Sequence, residues 1–118
     1  MNKGQKLLKK AKKIIPGGNG LLSKRSEMFL PGLWPTYYKK AKGCKIWDLN
    51  DKIYYDFAGM GVTSCILGYS DNDLNKSLFK GLKTGTMCTL NATEEIDLAN
   101  ELIKIHKWST MVKFCKSG

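Results

Sequence analysis

The residue types that most often hold metals or act as nucleophiles are few in this sequence and lie far apart. Four cysteines, Cys44, Cys65, Cys88 and Cys115, are separated by 21, 23 and 27 residues, and His106 is the one histidine. No pair has the close spacing of a zinc knuckle or a redox-active dithiol. The sequence therefore predicts no metal site, and it predicts that His106 caps a helix rather than binding a ligand.

The charged residues give the strongest compositional signal. Lysine and arginine total 20 against 10 acidic residues, and a net charge of +10 would suit an anionic partner. Only Arg25 is an arginine, whereas phosphate and base edges are usually recognised by the planar fork of arginine. A nearly pure lysine excess is typical of a solvated surface and argues against nucleic acid. A stand-alone lysine-rich module that binds RNA or another acidic partner stays open as the alternative.

Length and hydropathy limit the class of protein. The 118 residues suffice for one domain, and 42% hydrophobic with 25% charged residues exclude wholesale disorder. The first fifteen residues alternate lysines with apolar residues and lack the apolar stretch of a secretory signal. The longest uncharged run, residues 57–70, is shorter than the ~20 residues that cross a bilayer. We therefore expect a cytoplasmic protein with reduced thiols and no membrane partner.

The N-terminal elements follow from hydrophobic spacing. Apolar residues from Leu7 to Ile15 recur at helical intervals opposite lysines, which predicts an amphipathic helix ended by Pro16. Such a helix usually docks on a core, and a membrane-surface or RNA-binding helix is the alternative. Residues 17–35 are rich in glycine and proline and include Asn19 and Ser26, so they are predicted to be a long loop. Loops of this length are usually functional or pack on something outside the domain.

The remaining elements alternate between strand and helix patterns. Aromatic and β-branched residues bounded by turn residues predict three short antiparallel strands at 36–40, 44–49 and 53–57. Two helices are expected next, one at 71–83 and one from Asn91 or Thr93 to His106. The buried stripe of the second helix is predicted to comprise Ile96, Ala99, Leu102 and Ile103. Residues 111–115 have the pattern of a final strand.

The order of the last two elements bears on the size of the protein. A helix followed by a strand at 111–115 opens an α/β unit, whose parallel strand requires hydrogen-bonding neighbours in a sheet. The turn after such a strand is where open α/β sheets bind ligands. We therefore expect these residues to be the opening part of a larger protein. A self-contained α+β domain, whose final strand joins the hairpins, is the alternative.

Four segments stand in a familiar order and spacing. They are Ile15–Gly18 (IPGG), Lys42–Asp56 (KGCKIWDLNDKIYYD), Ile66–Tyr69 (ILGY) and Met111–Gly118 (MVKFCKSG). Each motif alone is weak, but together they resemble the N-terminal quarter of the class III aminotransferases. The most similar branch is that of the glutamate-1-semialdehyde 2,1-aminomutases, which are fold type I enzymes that use pyridoxal 5′-phosphate.

The resemblance implies an α/β parent, the fold type I of pyridoxal-phosphate-dependent transferases. This chain would be its α+β N-terminal segment, with a helix, a three-stranded antiparallel meander, two helices and the first strand of the large-domain sheet. Three parts are implied. Residues 1–35 would form the N-terminal helix and a substrate-gate loop, 36–70 the small-domain meander and a connection, and 71–118 the helices that lead into the large domain.

The resemblance assigns Ser117 and Gly118 to the cofactor. In the family the first large-domain strand ends in Ser-Gly-Ser/Thr-Glu-Ala, and these two residues match the beginning of that turn. Glycine permits close backbone approach, and amides at the N-terminus of the following helix hold the phosphate dianion. A merely flexible Ser-Gly is the alternative for these two residues.

Two further residues are implied to contact the substrate. Arg25 corresponds approximately to an arginine that binds the substrate carboxylate in the aminomutase branch, a natural bidentate pairing; a plain surface arginine is the alternative. Met60 stands where that branch has a substrate-lining tryptophan, which favours a related transaminase acting on another amino donor or acceptor. Tyr69 replaces the histidine of a Leu-Gly-His motif, a difference expected to matter only for local packing.

The residues that perform the chemistry in the family have no match in this chain. Such enzymes need a lysine amine for the Schiff base and a carboxylate at the pyridinium nitrogen. None of the nineteen lysines matches the family's Schiff-base motif. We therefore predict no catalytic residue among the 118, and an inert chain when it is isolated. In the family the small-molecule amino donor and acceptor are bound by a homodimer, whose interface would cover the apolar loop from Met28 to Trp34.

Overall fold

The computed structural model describes residues 2–58, 61 and 64–116. Its helices are α1 (Lys3–Ala11), α2 (Asn72–Thr84) and α3 (Glu94–Ile105), and its strands are β1 (Tyr38–Lys42), β2 (Lys45–Asp48) and β3 (Ile53–Tyr55). The chain divides into two compact units, residues 1–77 and residues 78–118. The helices and the three-stranded sheet agree with the α+β segment that the resemblance implies.

Helix α1 ends earlier than its apolar pattern predicts. Asn2 caps it, because the side-chain Oδ1 accepts a hydrogen bond from the backbone N–H of Gln5 at 2.8 Å. The helix stops at Ala11, after which Lys13 and Ile14 form tighter turns by donating to the carbonyls three residues before them. Ile15 precedes a proline and is extended, with φ −127° and ψ 120°, so the chain leaves the helical path there. The predicted extension to Ile15 is therefore wrong, and Ile14 is left 81% exposed.

The small core of the first unit lies under α1. Leu8 and Ala11 are its buried apolar side chains, and Gln5 is buried beside them. The Gln5 side-chain amide donates to the backbone carbonyl of Trp34, and at 3.3 Å to the Thr36 hydroxyl. The helix is thus fastened to the end of the long loop by a buried polar side chain.

The three strands form an antiparallel meander in the order β1-β2-β3. Lys42 pairs with Lys45 across the first turn, and Trp47 pairs with Ile53 across the second. The first strand starts at Tyr38 rather than at residue 36, because Thr36 has a φ of +66° that no strand residue adopts. The meander is otherwise the one that the sequence predicts.

The second unit differs from its prediction in two places. The predicted strand at 111–115 does not form within the described residues, because a strand requires a hydrogen-bonded neighbour and none of them supplies one. On α3, Ile96 is 65% exposed while Ala99, Leu102 and Ile103 are half-buried. The stripe that the periodicity predicts as buried therefore has little covering it within this unit.

Membrane spans and metal clusters are both absent from the described residues. No helix in the described ranges is long and apolar enough to cross a membrane. In the same part of the chain, no three His, Cys, Asp or Glu side chains cluster as metal ligands do.

Candidate functional site

The long loop between α1 and the sheet is built from three single 3₁₀ turns, Pro16–Gly18, Leu22–Lys24 and Ser26–Met28. Arg25 joins the last two turns in an extended conformation, with φ −73° and ψ 130°. Its backbone N–H donates to the carbonyl of Leu22 at 3.0 Å, and its own carbonyl accepts from Met28 at 3.0 Å. Both turns therefore fix the point from which the Arg25 side chain departs.

The Arg25 guanidinium folds back onto the glycine turn that ends the N-terminal helical region. A Cβ built on Gly17 would lie 2.5 Å from Nη2, 2.8 Å from Cζ and 3.0 Å from Nε of Arg25. Gly17 has a φ of +73°, a conformation that glycine adopts without strain. The IPGG motif and the only arginine, eight residues apart in the sequence, thus meet in the structure.

The Arg25 guanidinium finds no acceptor within the part of the chain that the structure describes. Its Nε is buried without a hydrogen-bond partner. The carboxylate of Glu27, two residues away, forms its ion pair with Lys12 instead. The hydrogen bond from the Lys12 ammonium holds the pKa of Glu27 below its ordinary value. A half-buried guanidinium without an internal anion is a natural partner for an external carboxylate.

The neighbouring glycine holds the same turn against α1. A Cβ on Gly18 would lie 2.9 Å from the Leu8 Cδ1 and 2.9 Å from the Lys12 Cγ. Gly18 is buried, and its N–H donates to the carbonyl of Ile15 at 2.8 Å. The two glycines therefore face different neighbours, one the helix and the other Arg25.

A second cluster joins two other motifs of the sequence. Gly43 and Tyr69 form an isolated antiparallel bridge, with N–H···O distances of 2.8 and 2.9 Å. A Cβ on Gly68 would come within 3.1 Å of the Gly43 Cα, so glycine allows this close approach of two backbones. The Tyr69 hydroxyl donates to Oδ2 of Asp56 at 2.6 Å. The ILGY segment is thereby tied to both ends of the KGC…YYD segment.

The tyrosine in this cluster stays neutral over the physiological pH range. Burial and the hydrogen bond to the Asp56 carboxylate raise the pKa of Tyr69 to about 12. Tyr69 is therefore a protonated donor to Asp56 throughout that range. This contact is structural, and it agrees with the expectation that Tyr69 serves local packing.

No described residue set fits pyridoxal 5′-phosphate. All nineteen lysines are exposed, whereas a Schiff-base lysine is activated by desolvation or by a neighbouring cation. Lys3, Lys6 and Lys10 line an open depression of about 290 Å³ with Leu7 and Leu49, and no carboxylate faces it. We therefore derive no catalytic step from the described residues.

The other predicted site residues lie outside the described ranges. Met60, predicted to line the substrate pocket, falls there, as do Ser117 and Gly118, predicted to bind the cofactor. Of the predicted site residues, Arg25 alone has a described environment. Gly17 was not identified from the sequence as a site residue. The signal that could have identified it is its place in the IPGG motif, eight residues before the only arginine.

Known proteins resemble this chain over nearly its whole length. It is 29% identical over 118 residues to a glutamate-1-semialdehyde 2,1-aminomutase of Methanosphaera stadtmanae, covering 100% of this chain and 26% of that protein. It is 25% identical over 112 residues to the aminopentol aminotransferase of Sphingopyxis macrogoltabida, covering 95% of this chain and 26% of that protein. The chain thus spans about a quarter of the curated relatives it matches. No protein-family model matches it.

A solved structure shares the fold. The FumI protein of Sphingopyxis sp. MTA144, determined in its pyridoxal-phosphate internal aldimine form, superposes with a TM-score of 0.84 at 23% identity. That match covers 98% of this chain and 27% of FumI. With these matches, the resemblance found in the sequence is confirmed. The chain matches the N-terminal segment of a class III pyridoxal-phosphate aminotransferase.

Proposed function

We propose that this chain is the N-terminal part of a pyridoxal-phosphate-dependent aminotransferase or aminomutase similar to glutamate-1-semialdehyde aminomutase. The observation that carries the proposal is the similarity of all 118 residues to the aminomutase of Methanosphaera stadtmanae. The complete enzyme would transfer an amino group between small-molecule donors and acceptors, as a cytoplasmic homodimer. When bound, the cofactor would supply the electron sink for that transfer.

Within that enzyme the three parts of the chain have separate tasks. Residues 1–35 carry the substrate gate, 36–70 the small-domain sheet, and 71–118 lead into the large domain. Ser117 and Gly118 begin the phosphate-binding turn, and Met60 lines the substrate pocket. Phe57 is 95% exposed and Trp108 is 84% exposed. The exposure of these large aromatic rings supports contacts with further protein surface.

Arg25 binds the substrate carboxylate in this proposal. The support is its charge, its lack of any described acceptor, and its fixed departure point between two turns. Lys12 contributes indirectly, because it occupies the Glu27 carboxylate that would otherwise compete for the guanidinium. A guanidinium and a carboxylate together can form two parallel hydrogen bonds, which fixes the orientation of a bound substrate.

The isolated 118-residue chain is inert in this proposal, because it lacks the Schiff-base lysine. The test is to mix the purified chain with pyridoxal phosphate, dialyse it, and record the absorbance spectrum. We expect no stoichiometric internal-aldimine band to survive dialysis. A stable band at one cofactor per chain would overturn the claim of inertness.

The family assignment has its own test in the DNA downstream of codon 118. A continuation that begins with Ser/Thr-Glu-Ala and includes a distant lysine in the Schiff-base motif is expected, in frame or after a frameshift. If unrelated DNA follows a natural stop codon, the chain would be only a remnant of such an enzyme. Steep, salt-dependent binding of an oligonucleotide by the purified chain would instead support the lysine-rich binding module.

A further inference from the structure

We propose that Gly17 is a positioning residue for Arg25. The Arg25 guanidinium packs against the Cα of Gly17, which carries no side chain. This contact directs the two terminal nitrogens of Arg25, Nη1 and Nη2, toward a carboxylate ligand. The inference rests on the proposed function, because that function supplies the carboxylate. It goes further by naming a second residue on which the binding depends and the edge of the arginine that is used.

The contact distances show why glycine is needed at this position. A Cβ on Gly17 would approach Nη2, Cζ and Nε of Arg25 to between 2.5 and 3.0 Å, closer than side chains pack. The atoms it meets belong to the end of a flexible side chain rather than to the backbone. An alanine here would therefore displace the guanidinium, in addition to straining the backbone at a φ of +73°.

The burial pattern identifies the edge that a ligand can reach. Of the three guanidinium nitrogens of Arg25, Nε is the one that is buried without a partner. A carboxylate cannot reach Nε while the group rests on Gly17. The two terminal nitrogens, Nη1 and Nη2, are left to form a bidentate pair with the ligand.

The sequence offers a matched control for the backbone strain that any substitution at Gly17 introduces. Gly32 lies in the same loop and has a similar φ, +81° against +73°. A Cβ on Gly32 would meet nothing within 4 Å. Gly32→Ala therefore reproduces the strain of a positive φ without touching Arg25.

The experiment uses the full chain labelled with ¹⁵N and acetate as the probe. Because Arg25 is the only arginine, the spectrum contains one arginine Nε–H signal, which can be followed at constant ionic strength. We expect a saturable shift of this signal in the wild type and in Gly32→Ala, with dissociation constants within twofold. In Gly17→Ala the affinity should fall about tenfold, as expected from losing one hydrogen bond to a charged group.

A second readout does not depend on the ligand. The buried Nε–H should exchange with solvent at least about tenfold faster in Gly17→Ala than in the wild type or in Gly32→Ala, because burial limits exchange. Equal exchange rates and equal acetate affinities in all three proteins would overturn the proposal. If Gly17→Ala unfolds while Gly32→Ala does not, the contact is structural and the proposal is also overturned.

The two proposals fail separately in these measurements. If the wild type shows no saturable shift with acetate, the carboxylate role of Arg25 is wrong. The exchange rates of the Nε–H then still decide whether Gly17 positions the guanidinium.

Discussion

The side-chain contacts inside the first unit differ in kind from those inside the second. In residues 1–77, polar side chains join positions that are far apart in the sequence, as Gln5 joins Trp34 and Tyr69 joins Asp56. In the described part of residues 78–118, the side-chain hydrogen bonds and ion pairs span at most three residues, for example from Lys104 to Glu101. The second unit therefore has local order without cross-links of its own.

The first unit also buries more of its side chains than the second unit does. Leu8, Ala11, Gln5 and Asp48 are buried in the first unit, whereas no described residue of the second unit is. Isolated helices of about 12 residues are marginal in water, so α3 needs a packed face to be stable. The N-terminal unit therefore has buried stabilising contacts of its own, whereas the described part of the C-terminal unit has none that is fully buried.

Hydrogen exchange should show the largest difference between the units. We expect the Trp47 amide, in the central strand, to be protected at least about 100-fold more than the Leu102 amide in α3. Both protection factors are measured in one native-state exchange experiment on the whole chain, so the solution conditions are identical. Equal protection of the two amides would contradict the difference in stability between the two units.

Gly4→Ala should cause a large loss of stability in the first unit. A Cβ on Gly4 would overlap the backbone carbonyl oxygen of Pro35 and lie 3.1 Å from its carbon. Because backbone must move, we expect urea denaturation to show a loss of about 1–3 kcal/mol. The control is Gly81→Ala in α2, where a Cβ has open space and a gain of up to about 1 kcal/mol is expected.

Asp48→Asn tests a buried carboxylate that closes the second turn of the sheet. Asp48 is 4% exposed, and its Oδ1 accepts from the backbone N–H groups of Asn50 at 2.7 Å and Lys52 at 2.9 Å. Burial opposes its ionisation, but these hydrogen bonds outweigh burial and hold the pKa of Asp48 below its ordinary value. We expect a loss of about 1–2 kcal/mol at pH 7 in urea denaturation.

The pH dependence of that loss follows from the direction of the shift. The carboxylate stabilises the fold fully above the ordinary aspartate pKa of about 4, and this contribution disappears as the pH falls through the lower pKa of the folded state. The difference between Asp48→Asn and the wild type should therefore shrink on acidification below that value. Asp73→Asn, on an almost fully exposed side chain, should change stability by less than about 0.5 kcal/mol.

Tyr69→Phe should have the smallest effect, about 1 kcal/mol, because it removes one hydrogen bond and keeps the ring. Since the pKa of Tyr69 is raised to about 12, its contribution is complete below the ordinary tyrosine pKa of about 10 and is lost between the two values. An ultraviolet titration should show a late phenol phase that Tyr69→Phe abolishes. Tyr55→Phe, on an exposed ring, should leave that phase in place.

Periodicity and turn chemistry predicted the regular elements well. The meander, α2 and α3 lie within about two residues of their predicted bounds at most of their ends, because Gly43 and Asp51 have the positive φ that tight turns require. The end of α1 was missed, although the restriction that Pro16 places on Ile15 was available in the sequence. The pairing of residues 111–115 could not follow from pattern, because a strand depends on a neighbour.

The site was predictable in its residues but not in their contacts. Arg25 was identified by its type and by resemblance, yet nothing in the spacing shows that its guanidinium rests on Gly17 rather than pairing with Glu27. The contact arises because three successive turns bring the chain back on itself. Tertiary packing of this kind is set by distances that a linear pattern does not contain.

The bridge between Gly43 and Tyr69 has a consequence for proteolysis. Phe57 is almost fully exposed and lies between the two partners of the bridge. A nick by chymotrypsin after Phe57 would leave the new fragments joined non-covalently through Gly43, Tyr69 and Asp56.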